Sequence, residues 1–294
     1  MESCDRISPL KLLFLAWAFV LGTVAACPEA ASAGEKTVVA RRDAFGGACP
    51  RCELSGRKLA GAHFLGANFA GAALVGSDLR GAQFMGSIFV GADLSRADLS
   101  EAGFLGANFT GANLSSARMR AVEAHGVSFA GANLSRADLR SAQAPGADFS
   151  GSSLQGASLR TADLTASIFR HTDARGADFR SAEMRGAVLS AGRFDKASFR
   201  DAELDGAILA GASFDEADFK GASLDHAILA GADLSHARGL EQAQLDGACS
   251  DGRTRAPPGL TVKLCAARLL VHTPPPLPPA PPIPAAPRFL AWEW

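Results

Sequence analysis

The chain has 294 residues and sets 29 Lys and Arg against 30 Asp and Glu, a formal charge of −1. That balance removes any general electrostatic case for binding DNA or for imitating it. Gly numbers 31, Tyr is absent, and Trp17, Trp292 and Trp294 all lie near the ends; such small side chains suit a thin solenoid whose turns each bury a few groups, not an ordinary globular core.

Residues 1–33 read as an export signal. Arg6 and Lys11 form a short basic region, and Leu12 to Ala26 is an apolar run of about 15 residues, suited to a signal core and short for a membrane span. Two cleavage sites compete. Ala31-Ser32-Ala33 is a small-x-small site that starts the mature chain at Gly34. Val24-Ala25-Ala26-Cys27 resembles a bacterial lipobox, which ends the signal at 26 and makes Cys27 the lipidated first residue. The expected location is periplasmic or secreted, with membrane contact only through a lipid on Cys27. Residues 34–48 read as a polar linker.

From 54 to 234 a Leu or Phe recurs every fifth residue, with a small residue, usually Ala, two positions before it. The first sets of four are Leu54, Leu59, Phe64, Phe69, then Leu74, Leu79, Phe84, Phe89, then Leu94, Leu99, Phe104, Phe109. A period of twenty therefore lies over the period of five. Five matches neither the 3.6 of a helix nor the 2.0 of a strand. A coil with four sides and one pentapeptide per side satisfies both periods. Its turns stack at about 4.8 Å, so centres from 54 to 234 give about nine coils and a rod of about 45 Å.

Units such as Ala92-Asp93-Leu94, Ala112-Asn113-Leu114, Ala137-Asp138-Leu139 and Ala232-Asp233-Leu234 resemble the A-(D/N)-L-x-x pattern of the pentapeptide-repeat family. The resemblance implies an all-β fold, a right-handed four-sided β-helix over 49–236. It also implies that the central Leu or Phe and the Ala before it point inward, and the other three positions outward. Gly66, Gly71 and Gly76 suit tight corners. Phe columns are expected at Phe64, Phe84, Phe104 and from Phe69 to Phe169, moving later to Phe194, Phe214 and to Phe179, Phe199, Phe219. Val122 and Val127 offset the small Ala124. Nothing offsets Ala144, where a local bulge or small void is expected.

The register breaks after Leu234, since Leu240 and Leu245 require one inserted residue near Arg238-Gly239. Gln244, Leu245, Ala248, Asp251, Thr254, Pro257 or Pro258, Gly259 and Leu260 resemble the closing segment of many bacterial pentapeptide-repeat domains. Residues 237–265 are assigned as a cap, which a solenoid needs to cover its last coil. Residues 266–294 form a Pro-rich tail expected to be disordered and biased to extended polyproline II. It reads as a tether or as a docking ligand, and its apolar end, Phe289 to Trp294, as a cover for the solenoid or a partner.

Cys49 and Cys52 sit at the first coil, Cys249 and Cys265 in the cap. Two Cys pairs suggest zinc, but opposite ends of a rod of about 45 Å cannot share one ion, which leaves disulfides 49–52 and 249–265. Export favours their oxidation. A redox role for Cys49 and Cys52 is the sharper alternative.

Two outward columns stand out. Arg80, Arg120, Arg140, Arg160, Arg180, Arg200 and Lys220 align at the twenty-residue period, with Asp78, Asp98, Asp138, Asp178 and Asp218 two residues earlier on the same side. They read as a salt-bridged ladder or as a basic stripe for an anionic envelope polymer. No interleaved aromatics suit stacking on bases, which argues against nucleic acid. Leu65, Met85 and Leu105 form a candidate apolar patch.

Signatures for phosphate cradling, zinc hydrolysis or a serine nucleophile are absent. No cofactor and no enzymatic activity are expected. The favoured reading is an exported, non-enzymatic scaffold presenting a rigid surface to an envelope partner, a protein or an anionic polymer, with oligomerisation through a face or an end. The resemblance supplies the alternative. Some members of the family mimic DNA and bind gyrase, a reading that the export signal and near-neutral charge disfavour.

Overall fold

The structure is a computed structural model that describes residues 47–265. The expected signal, Cys27, residues 34–46 of the linker and the tail from 266 lie outside the described residues.

One pentapeptide explains the lattice. Ala92 and Leu94 are fully buried, and Asp93 between them bridges in parallel to Ala73 on one side and Asn113 on the other. The Leu94 N–H donates to Asn113 O at 2.7 Å and the Asp93 N–H to Ala72 O at 2.9 Å, so backbone groups are satisfied by the coils before and after. Ala97 N–H donates to Leu94 O at 3.0 Å and closes the turn. The Ser95 N–H is met instead by Asp93 Oδ1 at 2.9 Å. Asn68, Asn108, Asp148 and Asp163 do the same for the residue two positions on. This local bond is the physical reason for Asp or Asn before the centre.

The corner residue, two after each centre, is left-handed. Gly supplies it at Gly66 (φ 60°), but Arg96 (57°), Glu101 (60°) and His171 (56°) take it too. Such corners cost non-glycine residues strain, which the bonds to neighbouring coils hold in place.

Parallel bridges link each position to the one twenty residues on, from Ala48↔Asn68 to Asp218↔Arg238. Ala48, placed in the linker by sequence, already belongs to the lattice. Four sides follow, named by their first centres: side one from Leu54, side two from Leu59, side three from Phe64 and side four from Phe69.

Phenylalanines fill the core as stacked ladders. Along side four, Phe69 to Phe169 stack with successive centroids 4.6–5.3 Å apart. Phe64, Phe84 and Phe104 stack beside them on side three. The ladder then changes sides: Phe169 meets Phe179 edge-on at 5.9 Å, and Phe179, Phe199 and Phe219 continue on side two beside Phe194 and Phe214 on side one. The backbone does not bulge at Ala144. Its N–H reaches Asp163 O at 2.8 Å, Pro145 O accepts from Gly126 at 3.0 Å, and the twenty-residue register runs through. Interstrand bonds set the coil path there, and a missing side chain does not break them.

Beyond Arg238 the register slips twice. Ile228 bridges Cys249, twenty-one residues on, and Asp233 bridges Arg255, twenty-two on. The first slip is the inserted residue read from sequence; the second lies between Cys249 and Arg255. Helix α1 (Gln242–Asp246) buries Leu245, and strand β1 (Cys249–Ser250) pairs in parallel with β2 (Lys263–Leu264). Cap side chains replace the missing coil. Gln244 Nε2 donates to Phe219 O and Ala222 O at 2.9 and 2.7 Å, and Thr254 Oγ1 to Leu229 O at 2.6 Å. Asp251 Oδ1 accepts from Gly231 N–H at 2.9 Å.

Candidate interaction surfaces

The coil register stacks the charged column on side two, and its members engage one another. Arg80, Arg140 and Arg180 each grip the Asp two residues earlier through two bonds of 2.6–2.8 Å. Arg120, Arg160 and Arg200 reach instead across one coil, to Asp138 at 2.5 Å, Asp178 at 3.9 Å and Asp218 at 3.2 Å. Where Ser100 interrupts the column, its hydroxyl bonds Asp98 at 2.7 Å, and Arg118 of the next coil approaches the same carboxylate at 3.6 Å. Lys220 gives Asp218 its backbone N–H at 3.0 Å.

The carboxylates register this company. Burial works to raise the Asp138 pKa, but bonds from Arg140 and Arg120 outweigh it and hold the group at about 2. Asp178 is likewise lowered, bonds from Arg180 outweighing burial. Arg80 lowers Asp78. The guanidiniums remain about half exposed, 60% at Arg80 and 41% at Arg140. The column is thus a ladder whose outer faces meet solvent.

On side three Leu65, Met85 and Leu105 stand one per coil, 53%, 44% and 56% exposed. The same column turns acidic at Asp205 and Asp225, where Asp205 accepts from the Ser223 hydroxyl and from the Asp225 N–H.

Sequence reading missed side four. Its bridging slot, usually polar, carries Ile168, Val188, Ile208 and Ile228 on consecutive coils. Ser190, Ala210 and Ala230 flank three of them, and no charge lies on those coils of this side between Val188 and Gly231. The signal was present in the twenty-residue columns, in the one slot where Asp and Asn set the expectation.

A charged depression of about 460 Å³ lies on side one, among Gln155, Arg175, Arg193, Asp195, Lys196 and Asp215. Arg175 there is committed to Asp173 through two bonds, and Arg193 lies 3.6 Å from Asp195. Among the described residues no group of three His, Cys, Asp or Glu is placed to hold a metal, and no helix is long and apolar enough to cross a membrane.

The four cysteines among the described residues join in two pairs, one at the first coil and one in the cap. Cys49 takes a centre position and Cys52 the small inward position after it, with Cα atoms 5.4 Å apart. Cys249 joins Cys265 across the paired strands β1 and β2, Cα atoms 4.7 Å apart.

The family model for pentapeptide repeats matches in successive, overlapping stretches from 51–86 to 212–249. The chain belongs to the pentapeptide-repeat family. Among solved structures it is similar to HetL, a pentapeptide repeat protein involved in heterocyst differentiation regulation in the cyanobacterium Nostoc, at 28% identity, covering 68% of this chain and 90% of that one, TM-score 0.53. A pentapeptide repeat protein of the Arabidopsis thaliana thylakoid lumen matches at 30% identity over 35% of this chain and 68% of its own, TM-score 0.28. QnrB1, a plasmid-mediated fluoroquinolone resistance protein, matches at 22% over 61% and 91%, TM-score 0.31. No curated protein matches significantly. For this pentapeptide-repeat chain, family membership and the likeness to HetL imply a right-handed quadrilateral β-helix.

Proposed function

We propose that this protein is an exported, non-enzymatic scaffold whose rod of about nine coils presents flat columns of side chains to an envelope partner. One observation carries the reading. The two cysteine pairs fasten the first coil and the cap, a use of cysteine suited to an oxidising compartment, which the sequence of residues 1–33 also calls for. HetL is a family member described as taking part in regulation, which accords with a binding role for such a rod. The partner is a protein or an anionic polymer of the envelope. Outward candidates are the apolar column at Leu65, Met85 and Leu105 and the solvent faces of the column from Arg80 to Lys220. The arginines of that column are shared with aspartates, which favours the ladder over a free basic stripe.

The test is fractionation of the producing cell with thiol labelling, followed by cross-linking and pull-down from intact cells. The reading expects envelope or secreted protein with Cys49, Cys52, Cys249 and Cys265 blocked. Cytosolic protein with free thiols would overturn it. Gyrase inhibition or protection by the purified protein would favour DNA mimicry instead.

A further inference from the structure

Charge is not shared evenly along side two. Over its three middle coils, residues 116–121, 136–141 and 156–161, five arginines face a single acid: Arg118, Arg120, Arg136, Arg140 and Arg160 against Asp138. Arg118 and Arg136 lie outside the column that begins at Arg80. Arg118 takes the bridging slot, and Arg136 takes the left-handed corner (φ 58°) that leads onto the side.

The one acid is already committed, to Arg120 and Arg140. Arg118 and Arg160 depend on acids of the coils beyond, Asp98 at 3.6 Å and Asp178 at 3.9 Å. Those carboxylates in turn hold the Ser100 hydroxyl and Arg180. Arg136 makes no ion pair among the described residues, and its stem passes 3.8 Å from where a Cβ on Gly156 would stand. The ladder therefore neutralises the ends of side two and leaves its middle with a surplus of guanidinium. Arg120, Arg140 and Arg160 repeat at about 4.8 Å, and Arg118 lies about 6.6 Å across the strand from Arg120. The result is a flat grid of forked cations about 14 Å long.

The grid's own chemistry selects its ligand. Its remaining outward positions are Ser116, Ser141, Ser158 and Thr161, apart from the small Ala121 and Gly156. A protein partner calls for an apolar or aromatic anchor, and a membrane surface for a face that enters the acyl boundary; the grid offers neither. A single nucleic-acid strand would find no ring on which to stack its bases. Asp98 with Glu101 at one end and Asp178 at the other bound the grid, so it holds a few anionic groups at a time.

We propose that these three coils bind a linear acidic polysaccharide, whose carboxylates or sulfates are gripped by the five arginines and whose hydroxyls meet the Ser and Thr side chains. Arginine's planar fork pairs with such oxyanions through two bonds. The inference gives the scaffold's envelope partner a chemistry, and it rests on the scaffold reading for where the polymer is met.

The full chain is tested by biolayer interferometry on immobilised alginate, a polyuronate, and on dextran sulfate, with neutral dextran as the blank. Binding to at least one acidic polymer, weakening as salt rises, is expected. Arg118→Ser with Arg136→Ser should weaken it at least about tenfold. Ser is native to both slots, at Ser158 and Ser116, and unchanged circular dichroism checks the fold. The control is Arg80→Ser with Arg200→Ser, which removes the same charge from the same side in the column where Ser100 stands natively. Each control site lies about two coils, or ~9.6 Å, from the grid, roughly one Debye length at physiological salt, so binding should stay within about twofold. Failure to bind either polymer overturns the inference. So do equal losses from the two double variants, and so does tighter binding to phosphatidylglycerol vesicles or to duplex DNA at matched charge. None of these results moves the protein's location, which fractionation decides separately.

Discussion

Arg120 reaches across a full coil to Asp138, its Nε 2.5 Å from Oδ2, while Arg140 of Asp138's own coil holds the same carboxylate through two bonds. One acid thus ties two arginines that would otherwise repel at one strand spacing. The folded pKa of about 2 lies below the ordinary 3.8. The sign follows: this contribution is fully present above pH 4 and is lost as pH falls towards 2. Asp138→Asn should cost about 1 kcal/mol at pH 7, after solvent screening is allowed for. Thermal melts of parent and variant should keep a clear gap at pH 4 and converge only as pH falls through about 2. A gap that persists undiminished below pH 2 would mean that packing, and not charge, sets the effect.

The Phe ladder makes a separate claim about the core. Phe149 is fully buried, stacked between Phe129 at 5.1 Å and Phe169 at 4.8 Å, and follows the small Ala144. Phe149→Ala should cost about 3–5 kcal/mol, since rigid backbone bonds leave the coil little room to collapse on the cavity. In a solenoid each coil contacts only its neighbours. Guanidine unfolding of the variant should therefore broaden, with the two halves losing structure separately. A single sharp transition at the parent midpoint would contradict both expectations.

Much of this was legible in the sequence because it is periodic. The twenty-residue overlay gave the coil register, the Phe columns and their change of side, since Phe109, Phe129 and Phe149 recur at one spacing. What was not periodic was missed. The second slip, between Cys249 and Arg255, falls in the cap, where no repeat reports a shift of one residue. The bulge expected at Ala144 came from counting side-chain volume, whereas its N–H bond to Asp163 fixes the backbone. The column from Ile168 to Ile228 was periodic yet overlooked, because Asp93 and Asn113 made that slot read as polar. Partner identity is not written in the repeat at all, since the outward residues are the ones the fold leaves free.

The cap makes a claim about association. Gln244 Nε2 meets Ala222 O, a carbonyl that a further coil would otherwise satisfy, and also Phe219 O, while Thr254 Oγ1 meets Leu229 O. Gln244→Ala with Thr254→Val leaves Ala222 O without a partner at about 1 kcal/mol or more, whereas Phe219 O and Leu229 O keep the turn N–H groups of Ala222 and Ala232. The open end then resembles the template that stacks coil on coil. Light scattering should show concentration-dependent end-to-end association of the variant and a monodisperse parent. Equal size distributions at all concentrations would show that the backbone of Cys249–Ser250 protects the end unaided.

The Cys249–Cys265 bond closes a loop across a separation of 16 residues and holds β2 on β1. Loop-closure entropy assigns such a bond about 3 kcal/mol. The stabilisation is local, because β2 pairs with β1 over only two positions, Cys249↔Lys263 and Ser250↔Leu264. Replacing both cysteines with Ala should therefore free residues from about 255 onward before the rod itself melts. Hydrogen exchange is the measurement. In the parent, the Cys265 N–H bonded to Ser250 O at 2.7 Å should exchange slowly, and in the variant its position should lose that protection. Leu229, whose N–H bonds Cys249 O at 2.8 Å, should keep its own. Loss of protection at Leu229 as well would make the disulfide a condition of the last coil, and the cap would then be part of the rod's cooperative unit.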